Sequence, residues 1–127
     1  MQKYTGAHTS PPDIRIRTFD FAVRLVGLCQ YLDAQPGVGR TLGKQLLRAG
    51  TSVGANVEEA QAGQSKADFI SKYAIALKEA RETHYWLRLL VASNVVTSVR
   101  VSDLIKEADE IMRIIGAIIV SAKKSQG

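Results

Sequence analysis

The sequence predicts an all-α fold, an antiparallel up-down four-helix bundle, and three observations point to it. The chain's three prolines are Pro11, Pro12 and Pro36, so everything beyond is free of the residue that breaks helices. Four stretches carry apolar residues at the three- and four-residue spacing of an amphipathic helix. No stretch alternates apolar and polar residues between Gly/Asn turns, as strands do. Connections of about four to eight residues then make neighbouring helices antiparallel.

Residues 1–13, polar and carrying Gly6 and the Pro-Pro pair, read as a flexible arm, and residues 14–124 as the bundle. The first helix is expected from Thr18, as N-cap, to Ala34. Phe19, Ala22, Leu25, Val26, Cys29 and Leu32 share one side of it. Gln35-Pro36-Gly37-Val38-Gly39 ends it. The second helix spans Arg40 to Ala62, with Leu42, Leu46, Leu47, Val53, Val57 and Ala60 on its core side. Gly43, Gly50 and Gly54 flank that side. Each costs a helix about 1 kcal/mol relative to alanine, so a stripe of them predicts the close approach of another backbone. The third helix starts at Ser65, with Asp68 placed for a capping box, and reaches about Ser93. Its regular stripe is Phe69, Tyr73, Ala76, Leu77, Ala80, His84, Leu87 and Val91. Asn94 offers a stop. The fourth helix runs from Val101 to Lys123 on Leu104, Ile105, Ala108, Ile111, Met112, Ile115, Ile118, Ile119 and Ala122, and residues 125–127 trail off as a flexible end.

Composition bounds the object more than its task. The 127 residues, 46% hydrophobic and 23% charged, make one globular domain. No apolar run reaches the roughly 20 residues that span a bilayer, and the N-terminal segment lacks a signal peptide's apolar centre. One cysteine allows neither an internal disulfide nor a multi-cysteine metal site. A cytoplasmic, reduced protein is expected, without a membrane partner. Seventeen Lys+Arg against twelve Asp+Glu give a net charge of +5, which permits a polyanionic partner without demanding one.

Catalytic constellations are scarce. Gly37-Val38-Gly39-Arg40-Thr41-Leu42-Gly43-Lys44-Gln45 misses the phosphate loop, because its glycine spacing is wrong and Gln45 replaces the magnesium-binding hydroxyl. Arg81 stands three residues before His84, so the Glu-x-x-His of di-iron bundles is absent. His84 reads as a buried or interface histidine and Cys29 as a small core residue. Neither catalysis nor a cofactor or metal is expected.

Three features ask for more. Asn56, at the edge of the second helix's apolar arc, needs a hydrogen-bond partner. Glu59 or the adjacent helix would supply it and fix helix register, unless Asn56 is a partly solvated boundary residue. Ile75, Tyr85, Trp86 and Leu89 form a second apolar side on the third helix and suit a homo-oligomer interface, scattered surface residues being the alternative. Arg40, Lys44 and Arg48, spaced four apart, form a ridge that would contact phosphates, although Glu58 and Glu59 share its far end.

The strings Gln45-Leu46-Leu47-Arg48-Ala49, Ser52-Val53-Gly54-Ala55-Asn56-Val57-Glu58-Glu59-Ala60 and Ser65-Lys66-Ala67-Asp68-Phe69 resemble a bacterial family. It is that of four-helix-bundle proteins related to the 23S rRNA intervening-sequence protein, which includes an accessory protein of diversity-generating retroelements. The segment from Ala76 to Leu87 looks like one branch of it, and the likeness covers roughly residues 14 to 122. The resemblance implies an up-down bundle assembled as a homo-oligomeric ring, often a pentamer, without enzymatic activity. It implies RNA or another nucleic acid, a reverse transcriptase or another protein as partner. Leu47 stands where the family often has an arginine, Gly63-Gln64 where it has two, and Gly54 where it has proline. These departures favour the competing reading, a protein-protein adaptor that leaves nucleic acid alone.

Overall fold

The structure, a computed structural model, describes residues 13–125; residues 1–12 of the arm expected at 1–13 and the last two residues lie outside the described residues. Four helices and no strand make up the described residues: α1 (Ile14–Asp33), α2 (Val38–Gln61), α3 (Lys66–Ala92) and α4 (Ser98–Lys124).

Local chemistry sets each start. Asp13 caps α1, its carboxylate accepting the Arg15 N–H at 2.9 Å, so the helix begins a turn before the expected Thr18. Thr18 lies inside the first turns, fully buried, its hydroxyl donating to the Ile14 carbonyl at 2.8 Å. A short link ends at Gly37, whose φ of 112° suits glycine alone and lets α2 begin at Val38 rather than Arg40. The Ser65 hydroxyl accepts the Asp68 N–H at 3.0 Å, as the capping-box spacing predicts. Asn94 adopts a left-handed φ of 61°, a conformation asparagine tolerates, and Thr97 caps α4 ahead of the expected Val101.

Each helix packs on the next and α4 returns to α1, whereas the backbones of α1 and α3, like those of α2 and α4, stay more than 8 Å apart between Cα atoms among the described residues. The glycine stripe governs the α1/α2 seam. Leu32 lies against Gly43, Leu25 against Gly50 and Thr18 against Gly54, with the Thr18 carbonyl oxygen 3.4 Å from where a Cβ on Gly54 would stand. Residue numbers rise along one helix as they fall along the other, so this pair is antiparallel. Across α2 and α3 the Gln61 amide donates to the Tyr73 hydroxyl at 2.7 Å, and Arg48 reaches Glu79 and Glu82. The Lys66 ammonium donates to the Ser125 carbonyl, which brings the start of α3 beside the end of α4. A two-toothed Arg17–Glu107 pair, at 2.7 and 2.9 Å, ties α1 to α4.

This seam corrects the expected orientation of α1. Thr18, Leu25 and Leu32 recur every seven residues and bear on the three glycines, so their side of the helix is the inner one. Ile14, Phe21, Leu28 and Cys29 join them in the core. Phe19 and Val26, expected inside, point outward at 64% and 39% exposure. Apolar residues cover about two thirds of this helix's circumference, too wide an arc for its own pattern to choose a side; the partner's glycines do.

Candidate interaction surfaces

The α2 ridge is only partly free. Arg40 donates from Nε to the Asp33 carbonyl at 3.1 Å, and Lys44 is exposed beside it. Arg48 turns toward α3, where its guanidinium meets the Glu79 carboxylate at 3.4 Å and that of Glu82 more closely. Glu79 is buried, and Arg48 is the countercharge at its mouth. The same guanidinium, with the Trp86 indole N–H at 3.1 Å, holds the Glu82 carboxyl below the usual carboxylate range. Arg48 thus brings little free charge to a polyanion. Its partners lie 31 and 34 residues away, a relation that only the packed helices disclose.

A second basic strip lies on α3. Lys78, Arg81 and Arg88 are exposed at i, i+3 and i+10, with Tyr85 between them at i+7. The Arg88 guanidinium stands 5.8 Å from the Tyr85 ring centre. Sequence reasoning passed over these cations because it took this side of α3 for an apolar interface. The spacing alone would have found them.

The expected α3 interface divides. Ile75 and Tyr85 are outward, at 38% and 49% exposure, while Leu89 is half-buried. Trp86 is half-buried too, packs against the core, and meets Tyr85 edge-on at 5.3 Å. The longer apolar strip is on α1. Ile16, Phe19, Val23 and Val26 recur at i, i+3, i+7 and i+10, with 58%, 64%, 56% and 39% of their surfaces exposed. Two hollows run beside it along the α1/α2 seam. Phe19, Ala22, Gly54, Ala55 and Glu58 help line one of about 410 Å³. Val26, Cys29, Arg40, Lys44 and Leu47 help line the other, of about 320 Å³.

The polar residues singled out from the sequence have local duties. The Asn56 amide donates to the Ser52 carbonyl at 2.8 Å, one turn back on its own helix, rather than across to α3. Glu59 is exposed. His84 is half-buried, and its Nδ1 accepts from the Arg88 Nε at 3.1 Å, a bond that needs neutral imidazole at that atom. Burial first, then the Arg88 charge, lowers the His84 pKa, with Asp109 opposing. The Cys29 thiol donates to the Gly43 carbonyl at 3.4 Å, and burial pushes its pKa up to about 11, so it stays protonated at neutral pH. Among the described residues no group of three or more His, Cys, Asp or Glu side chains could hold a metal ion. No described helix is long and apolar enough to cross a membrane.

The family model described as 23S rRNA-intervening sequence protein matches residues 13–117. Among solved structures, the chain is similar to a protein of unknown function from the S23 ribosomal protein family of Bacteroides thetaiotaomicron VPI-5482. The two are 41% identical with a TM-score of 0.79, over 84% of this chain and 98% of that one. No curated protein matches the chain.

Proposed function

Since the chain belongs to the 23S rRNA-intervening sequence protein family, we propose that it is a non-catalytic, homo-oligomeric scaffold, an up-down four-helix bundle that binds structured RNA in the cytoplasm. The single observation that carries this reading is its division of labour between helices. The outer side of α1 is an apolar strip, and the exposed side of α3, which does not touch α1, is basic with one aromatic ring. Apolar strips of that size on a small chain suit a subunit contact, while cations at helical spacing suit phosphates. Arg40 and Lys44 extend the basic surface on α2; Arg48, neutralised by Glu79 and Glu82, does not.

The salt dependence of RNA binding tests the reading. Contacts from Lys78, Arg81 and Arg88 predict a log–log slope of about −2 to −3, at roughly −0.7 to −0.9 per phosphate. Removing Arg81 flattens it by about one contact's worth. The pairing of Arg48 favours one alternative, an adaptor that joins proteins, a reverse transcriptase among them, without touching nucleic acid. An affinity that ignores salt, or no affinity, supports the adaptor and overturns the RNA reading.

A further inference from the structure

The homo-oligomer reading leaves open which surfaces meet, and two features at one end of the bundle answer it. That end gathers the start of α1, the end of α2, the start of α3 and the end of α4, as the Thr18–Gly54, Gln61–Tyr73 and Lys66–Ser125 contacts establish. On its α1/α2 side Phe19 projects with 64% of its surface exposed, next to Ile16 at 58%. On its α3/α4 side Phe69, Ile114, Ala117, Ile118 and Ser121 line an apolar hollow of about 510 Å³. Because the helix backbones come close only in the order α1, α2, α3, α4 and back to α1, these two sides are opposite faces of the molecule. Phe19 is the sixth residue of α1, Phe69 the fourth of α3, and Ile118 six short of the end of α4. At 1.5 Å per residue, projection and hollow both lie within about 10 Å of the same end.

We propose that the Phe19 side of one copy docks into the Phe69–Ile118 hollow of the next, a head-to-tail contact that rests on the homo-oligomer reading. Charge favours the same union. Glu58 lines the same hollow as Phe19, Asp20 follows Phe19 in the chain, and the Arg15 guanidinium that also lines the hollow is held by Asp13. At the hollow, Lys66 donates to the lining Ser125 and Lys123 follows the lining Ala122 in the last turn of α4, so the two cations outnumber Asp68, which precedes the lining Phe69. An acidic surround on the projection thus meets a basic surround on the hollow. Two different faces in contact generate either a closed ring or an open filament. Projection and hollow at equal height need no shift along the helix axes from copy to copy, so the angle between the two faces decides the outcome: directly opposite faces give an open row, inclined ones a closed ring.

Light scattering on the full chain and on two surface variants tests the contact. Phe19→Glu removes the projection and keeps the hollow; Ala117→Glu does the reverse. Each alone is expected at the mass of one chain. Mixed in equal amounts they retain one intact contact, and the mass doubles to that of a dimer, which only a contact between unlike faces gives. Far-UV circular dichroism checks folding, and Ile16→Glu or Ser121→Glu replaces a variant that does not fold. An oligomeric parent whose mass neither variant changes, or variants that stay single chains when mixed, overturns the head-to-tail contact while leaving the homo-oligomer in place. A parent that is itself a single chain overturns both.

Discussion

Placing alanine at Gly50 tests how α2 dictates which side of α1 faces out. The new Cβ would stand 2.2 Å from the Cδ1 of Leu25 and 3.4 Å from its Cγ. Leu25 is fully buried, so its side chain has no solvent to move into. Overpacking of this kind costs about 1–3 kcal/mol. Replacing glycine within a helix returns about 1 kcal/mol, which leaves a net loss of about 0–2 kcal/mol. Gly116, on α4, has nothing within 4 Å of its Cβ position, so alanine there should gain about 0.5–1 kcal/mol. Urea denaturation followed by circular dichroism compares the two. With an m-value of about 1.5 kcal/mol per molar, the midpoints should separate by about 1 M, Gly50→Ala the lower. Equal stabilisation by both would refute the claim that the glycine stripe seats α1.

Two further outcomes follow from the same geometry. Trp86 packs against the core, so Trp86→Ala should cost about 1–3 kcal/mol of stability, less than a fully buried tryptophan because the residue is only partly buried. Its oligomeric mass at a folded concentration should match the parent's, and a lower mass would restore Trp86 to the subunit interface. His84 has a folded-state pKa below its ordinary 6.5, so the unfolded chain binds the proton first as pH falls. Its contribution is therefore complete above about pH 6.5 and lost on acidification below that. Between pH 7.5 and 5.5 the parent's urea midpoint should drop further than that of His84→Gln; equal drops would remove His84 as the cause.

Much of the fold was legible because helix signals are local. The Ser65–Asp68 cap, the Asn94 stop and the close packing at Gly43, Gly50 and Gly54 follow from neighbours in sequence or from one helix's own periodicity. Rotation of α1 was not legible. Ile16, Phe19, Val23 and Val26 compete as an apolar side with Phe21, Leu25, Leu28 and Leu32, and the glycines that decide between them belong to another helix. The basic ridge failed in part for a similar reason. Arg48 is regularly spaced with Arg40 and Lys44, yet its charge is matched by Glu79 and Glu82 on α3. Spacing shows which residues share a helix face, whereas what covers that face is a property of the packed bundle.

The subunit count of the purified parent chain tests the account most directly. Light scattering across a range of concentrations should return a whole-number multiple, two or more, of the 13.8 kDa chain mass, because the proposed contact covers the apolar strip on α1 and the hollow beside α4 with other copies. A steady 13.8 kDa at every concentration would leave Phe19 and its neighbours in water and contradict the scaffold outright.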